Sequence, residues 1–352
     1  MLKNVLGLAL LVLLFATPVI ADINVFIYHR FGETRYPSTN IALDIFAAQL
    51  NHLKVEGFQV LPLSEIARMV REGEALPDKT VGLCIDDAFN SFAQQALPLL
   101  QQYAFPATLF VNTDAVGTAG YLTWAELKDV MTKGVEIGNH TANHTYLVEM
   151  EDGETYADWQ TRISRDIERS QLALKKYLGV EPEIFAYTYG EYSPAVIDLI
   201  KQLGFKAAYA QQSGVIYAGS DIWTLPRFPM GGPYATMAGF LSKLNMAALQ
   251  TLAVDPVDPV IREKNPPQLK LTLGESGMAP GAINCFVQGG NSCHVVREPG
   301  TKDGLLISAE KPLTGRRNKY TLTSLGQDGH WRWFSHLWIN ANRPVTLETS
   351  QP

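Results

Sequence analysis

The chain is short of the residues that define several protein classes. It has three cysteines in 352 residues, so a dense disulfide framework is excluded. Charged residues are 18% of the total, too few for a disordered, self-repelling chain. The formal net charge is -6, so no overall basic field is available for a nucleic acid or another polyanion. No internal repeat or low-complexity tract is visible. Histidine is scarce, and none occurs between His144 and His294.

The one long apolar run is at the N-terminus. Lys3 precedes "VLGLALLVLLF" (Val5 to Phe15), and small residues follow in "TPVIA". The run is well short of the roughly 20 residues that cross a bilayer. The pattern is that of a signal peptide cleaved near Ala21, which predicts an exported mature chain without a stable membrane span. In an oxidising compartment Cys285 and Cys293, which flank "FVQGGNS", can close a small loop. Cys84 reads as a small apolar core residue.

From Asp22 onward, short apolar runs alternate with helical patterns. "NVFIYH", "TVGLCID", "ATLFVN", "VEIGNH", "EIFAYTY" and "FKAAYA" read as strands buried on both faces. The segments between them carry apolar residues at i, i+3 and i+4, and several end in Gly. Such alternation predicts an α/β fold with parallel strands, either a barrel or a doubly wound sheet. In a barrel, functional side chains gather where strands end. "VDPVDPVIREKNPP" interrupts the pattern, and short alternating segments follow. The expected organisation is a signal peptide at 1–21, a large domain at 22–250, a linker at 251–267 and a small β-sandwich-like domain at 268–352.

Two constellations stand at strand ends. "GLCIDDAF" sets Asp86 and Asp87 side by side, and "VEIGNHTANHTY" sets His140 and His144 four residues apart. An isolated Asp-Asp pair is usually a helix cap beside a solvated neighbour. Two imidazoles at that spacing can face a single ion, and zinc takes such nitrogens at about 2.0–2.1 Å.

"CIDDAF", "HTANH" and "FAYTYGEY" together resemble the first three motifs of the polysaccharide deacetylases, also called carbohydrate esterase family 4 or the NodB-homology domain. The resemblance runs from about Asp22 to Asn245 and implies a distorted (β/α) barrel. It also implies a divalent metal, most commonly zinc, and hydrolysis of N-acetyl groups on a polysaccharide. By position, Asp87, His140 and His144 are the implied metal ligands and Asp86 the general base. The backbone N–H of Tyr189 is the implied oxyanion donor. Tyr187, Tyr189, Gly190 and Glu191 are candidates for substrate contact.

The pattern is not complete. Ala88 stands where Gly is usual, Ala186 where an Arg orients the base, and Thr188 where Pro is usual. Arg227 in "TLPRFPM" is a candidate replacement for the missing Arg, alongside a structural or surface role. The late Leu-x-His motif that supplies an acid is not visible, which leaves His29 as the in-domain candidate. Asp221 and Trp223 in "SDIWTLP" faintly resemble the fourth motif, with core or loop packing as the plainer reading. Trp331, Trp333 and Trp338 with Tyr320 are candidates for a glycan-binding strip. A non-catalytic glycan-binding protein on a decayed fold stays open as an alternative, as does hydrolysis of another acyl or amide bond.

Overall fold

A computed structural model describes residues 22–274, 283–287, 290–342 and 344–345. The expected signal peptide lies outside the described residues. Among the described residues no helix is long and apolar enough to cross a membrane.

The strands are β1 (Asn24–Tyr28), β2 (Arg30–Phe31), β3 (Asn40–Ile41), β4 (Gln59–Leu61), β5 (Thr80–Asp86), β6 (Ala107–Val111), β7 (Val135–Asn139), β8 (Ile184–Ala186), β9 (Ala207–Tyr209) and β10 (Phe228–Pro229). All eight members of the main sheet pair in parallel, in the order β10-β1-β5-β6-β7-β8-β9, with β4 beside β5. β1, β5 and β6 are buried along their whole length, as their unbroken apolar sequences require. Helices α1 (Leu43–Val55), α2 (Leu63–Glu72), α3 (Leu97–Tyr103), α4 (Trp124–Thr132), α5 (Tyr156–Leu178), α6 (Pro194–Gln202) and α7 (Met237–Leu244) complete the α/β unit. Thr123 and Thr155 open α4 and α5 with reciprocal capping boxes to Glu126 and Asp158. Gly82 in β5 lets α2 approach, since a Cβ there would lie 2.9 Å from a methyl of Leu63.

The curled sheet is closed by one extended segment. Tyr209 of β9 bridges Leu225 in parallel, and three residues later Phe228 pairs with Phe26 of β1. Between these two joins sits Arg227, whose N–H donates to the Gln212 carbonyl. The closing segment therefore carries a cation into the ring.

A second, all-β region follows. It contains β11 (Ala247–Ala248), β12 (Thr251–Asp255), β13 (Gln268–Leu273), β14 (Asn284–Val287), β15 (Cys293–Arg297), β16 (Gly304–Ala309), β17 (Arg317–Leu325) and β18 (Trp331–Ile339). One sheet runs β11-β18-β17-β14 and the other β12-β13-β16-β15. Leu269, Leu271, Leu305, Ile307, Leu322 and Trp338 pack in a common core. The segment expected as a linker, 251–267, is not free of structure: it contains β12, whose backbone pairs with β13. Cys285 and Cys293 are disulfide-bonded, and the bond joins the two sheets. Cys84 is buried in the barrel, and burial pushes its thiol up to about 12, so it stays protonated.

Candidate active site

β5 ends at Asp86, and the chain then turns sharply. Asp87 and Ala88 both have positive φ, 78° and 56°. Two successive left-handed residues throw the Asp87 side chain into a different direction from that of Asp86. Glycine tolerates such backbone best, which is the physical reason it is usual at the place Ala88 occupies.

β7 ends at Asn139, and the next five residues curl back across the strand end. Thr141 and His144 also have positive φ. The curl is fixed by side chains: Asn139 Oδ1 accepts from Thr141 N, Thr141 Oγ1 accepts from His144 N, and the Asp166 carboxylate on α5 accepts from Ala142 N and Asn143 N. Asp166 was not expected from the sequence, where it is one polar residue in a long amphipathic helix.

His140 is 1% exposed and its Nδ1 lies 2.8 Å from the Ala186 carbonyl of β8. A carbonyl only accepts, so Nδ1 carries the proton and Nε2 presents a lone pair. Burial lowers its pKa to about 4, so the ring is neutral near pH 7, as a metal ligand must be. Nε2 of His140 lies 3.6 Å from Asp87 Oδ1, and Nε2 of His144 lies 3.2 Å from the same oxygen. That oxygen is buried and has no hydrogen-bond partner. Burial opposes the charge on Asp87, but the imidazoles of His144, His29 and His140 outweigh it and hold the carboxyl below its ordinary range. Ligand atoms of Asp87, His140 and His144 all lie within 4.8 Å of one another. An orphaned carboxylate oxygen facing two imidazoles is the donor set of a divalent cation site. The residues present fit a metal.

Asp86 has a different partner. Arg227 Nη1 donates to Oδ1 at 2.7 Å and Nη2 to Oδ2 at 3.0 Å, while Nε donates to the Ala210 carbonyl at 2.9 Å. Both residues are buried, Arg227 completely. Burial disfavours the Asp86 charge, but Arg227, then His140 and His29, outweigh it and keep the carboxyl below its ordinary value. The two neighbouring aspartates are thus separated electrostatically, one facing a buried guanidinium and the other the imidazoles. Arg227 is neither at the surface nor remote: it sets beside Asp86 the cation that Ala186 does not supply.

The cavity at this strand end has a volume of about 610 Å³, and His29, Asp86, Asp87, His140, His144 and Tyr189 line it. Tyr189 has φ 58° and stacks on Tyr146, with its edge toward His144. Three of the expected substrate contacts are elsewhere. Tyr187 is fully buried, and its hydroxyl donates to the Trp223 carbonyl. Gly190 is buried against Gln211, where an added Cβ would meet the backbone N at 2.6 Å. Glu191 is fully buried and accepts from Arg316 and Arg317. All three build the turn under Tyr189 and do not reach the cavity. Arg317, which the sequence did not single out, does line it.

The proposed aromatic strip does not form. Trp331 is exposed, while Trp333 packs against Phe228 and donates to the Ser213 carbonyl. Trp338 and Tyr320 are in the sandwich core. Trp223 is half-buried beside Lys201, and Asp221 is exposed and caps its own turn.

Residues 73–208 match the family described as polysaccharide deacetylase. Over that segment, which runs from the end of α2 into β9, the chain is similar to that family. Among curated proteins, a poly-beta-1,6-N-acetyl-D-glucosamine N-deacetylase of Escherichia coli (strain K12) is 27% identical over 214 residues, 51% of this chain and 32% of the relative. The chain therefore spans about a third of that relative's length. The protein of the same name in Staphylococcus aureus (strain MRSA252) is 24% identical over 211 residues, 58% of this chain and 72% of the relative. Among solved structures, the Streptococcus pyogenes deacetylase PplD in complex with acetate superposes with a TM-score of 0.57 at 26% identity. It covers 65% of this chain and 99% of that one. IcaB from Ammonifex degensii, at 23% identity and a TM-score of 0.54, covers 62% of this chain and 96% of that one, and shares the barrel.

Proposed function

We propose that this protein is an exported, metal-dependent N-deacetylase acting on a polysaccharide of N-acetylglucosamine, with the poly-β-1,6-linked polymer named for its relatives as the first candidate. The observation that carries the reading is the orphaned Asp87 oxygen between two imidazoles, beside a second carboxylate that is buried and paired with Arg227. Asp87, His140 and His144 would hold the cation, with zinc the first choice for a donor set of two nitrogens and one oxygen. Such an ion supplies Lewis-acid polarisation of a water and of an amide carbonyl.

The chain's own residues supply the rest. Asp86 is ionised and held in one rotamer by Arg227, ready to take the proton from an attacking water. Its low pKa makes it a weak base that is never found protonated near neutral pH. The backbone N–H of Tyr189 is assigned to the acetyl oxygen as negative charge develops there. His29, at the end of β1, is assigned the proton that the leaving amine needs. A cavity of about 610 Å³ suits one hexosamine with its linkages.

A non-catalytic glycan-binding role drew its support from the missing arginine at Ala186 and from the missing acid motif. The bidentate Arg227–Asp86 pair answers the first, and His29 on the cavity wall is the candidate for the second. The deciding test is acetate release from defined N-acetyl glycans, with chelation and zinc add-back and with Asp86→Asn as the inactive control. Glycan binding without acetate release by the metal-loaded wild type refutes the enzyme.

A further inference from the structure

The all-β region is not only attached to the barrel; it enters the cavity. Just before β17, Arg316 donates from Nε and Nη2 to the two oxygens of Glu191 at 2.7 and 2.6 Å, and Nη1 reaches Glu149 at 2.5 Å. Arg317 Nη1 donates to Glu191 at 3.0 Å. Glu191 directly follows the Tyr189–Gly190 turn and is fully buried. The anchor therefore fixes Arg317 next to Tyr189, with its guanidinium 5.2 Å from that ring. The Arg317 side chain is 40% exposed and lines the same cavity as Asp86, Asp87, His140 and His144.

The charges at this wall do not cancel. Lys319, two residues on, donates to the Gln211 carbonyl, and Gln211 is another residue of the cavity wall. Arg316, Arg317 and Lys319 face two carboxylates, Glu149 and Glu191, while across the cavity Asp86 is offset by Arg227 and Asp87 would be offset by the cation it helps to hold. Burial and then the charge of Arg317 lower the pKa of Lys319 to about 8. The wall is cationic at neutral pH, and the side chain of Arg317 is the part of it that faces the cavity.

Deacetylation turns a neutral acetamide into an amine that is protonated near neutral pH. A polymer under attack therefore presents two kinds of neighbouring sugar, neutral and cationic. We propose that Arg317 is a specificity-determining residue lent to the barrel by the all-β region, and that it admits neutral N-acetylated neighbours of the scissile sugar and rejects neighbours that already carry an ammonium. This rests on the deacetylase reading above. The guanidinium has donors to spare for hydroxyl and acetyl oxygens of a neutral sugar, whereas it can only repel a cation.

The test compares two N-acetylglucosamine oligomers of equal length, one fully acetylated and one with amines at alternate sugars. Wild-type, Arg317→Gln and Arg317→Lys enzymes are loaded with zinc and kcat/KM is taken from acetate release. Wild type should prefer the fully acetylated oligomer about tenfold in mildly acidic buffer, the scale of one repulsion between unit charges a few ångströms apart in a half-wet site. The preference should vanish in alkaline buffer, where the amine is neutral. Arg317→Gln should lose the preference, and Arg317→Lys should keep it. Equal preference in the wild type and in Arg317→Gln overturns the proposal. So does equal loss of activity on both oligomers in both variants with a fallen melting temperature, since that marks a structural role only. If wild type releases no acetate, the deacetylase reading fails by itself. Equilibrium binding of the same two oligomers to the wild type and Arg317→Gln then decides the role of Arg317: a preference absent from the wild type, or retained by the variant, overturns it.

Discussion

Replacing Arg227 with Met removes the one cation in hydrogen-bond contact with Asp86 and leaves its volume approximately filled. The guanidinium is fully buried and makes two bonds to Asp86 and one to the Ala210 carbonyl. Deleting one partner of a buried ion pair strands the other, at a cost of about 3–5 kcal/mol. Against a total stability of about 5–15 kcal/mol, that is a large fraction. Asp86 responds by protonating, because burial, the largest influence on it, is then no longer outweighed by the guanidinium. The sign follows directly. In the wild type the Asp86 carboxyl titrates below its ordinary value, so its contribution is complete above about pH 4 and is lost as pH falls through the lower folded value. In Arg227→Met the carboxyl titrates higher, so the acid limb of the rate profile moves upward.

The assays are denaturant unfolding and the pH dependence of kcat/KM for acetate release. Arg227→Met should lower the unfolding midpoint, shift the acid limb to higher pH and slow the reaction at neutral pH. The double variant Asp86→Asn/Arg227→Met provides the internal check. Removing both charges abolishes the stranded carboxylate, so its destabilisation should be smaller than the sum of the two single changes. Arg227→Lys keeps the charge but cannot reproduce the fork, and should fall between wild type and Met. An unchanged midpoint in Arg227→Met, or strict additivity in the double variant, refutes the electrostatic account of this pair.

Four other outcomes are expected. The metal-free protein should lose stability as pH falls from about 6.5 to about 4, because the unfolded chain binds a proton on His140 that the folded chain refuses. At about 1.4 kcal/mol per pH unit this amounts to about 3 kcal/mol. His336, whose burial lowers its pKa to about 3, adds a second loss of the same slope that runs from about pH 6.5 down to about 3, and His336→Phe should lessen the slope over that whole range. Asp166→Ala frees the two backbone N–H groups that fix the histidine loop, and should weaken zinc binding about 10–100-fold with little change in the far-ultraviolet spectrum; isothermal titration reads it. Reducing the Cys285–Cys293 bond, which closes a loop of eight residues between the two sheets, should cost about 2–3 kcal/mol in the all-β region by denaturant unfolding and leave zinc affinity intact.

What the sequence disclosed was whatever is encoded over a few neighbouring residues. The apolar runs of β1, β5 and β6 and the helix stops gave the alternation, and strand-end placement singled out Asp86–Asp87 and His140–His144. What it withheld depends on residues distant in the chain. Glu191 follows an exposed-looking turn, yet its partners lie 125 and 126 positions away, so nothing local distinguishes a buried anchor from a substrate contact. Tyr187 and Tyr189 look alike in "YTYG", but the first still continues the direction of β8 into the core and the second is turned out by a left-handed backbone. Trp331 and Trp333 obey the period of two, and differ because one is at an open strand end and the other meets Phe228 of the barrel. Arg227 was legible only as a candidate. Between prolines in a short apolar run it resembles an ordinary edge residue, and only the closure of the ring between β9 and β1 turns it toward Asp86. A buried carboxylate such as Asp86 requires a cation beside it, and the segment that closes the barrel supplies one.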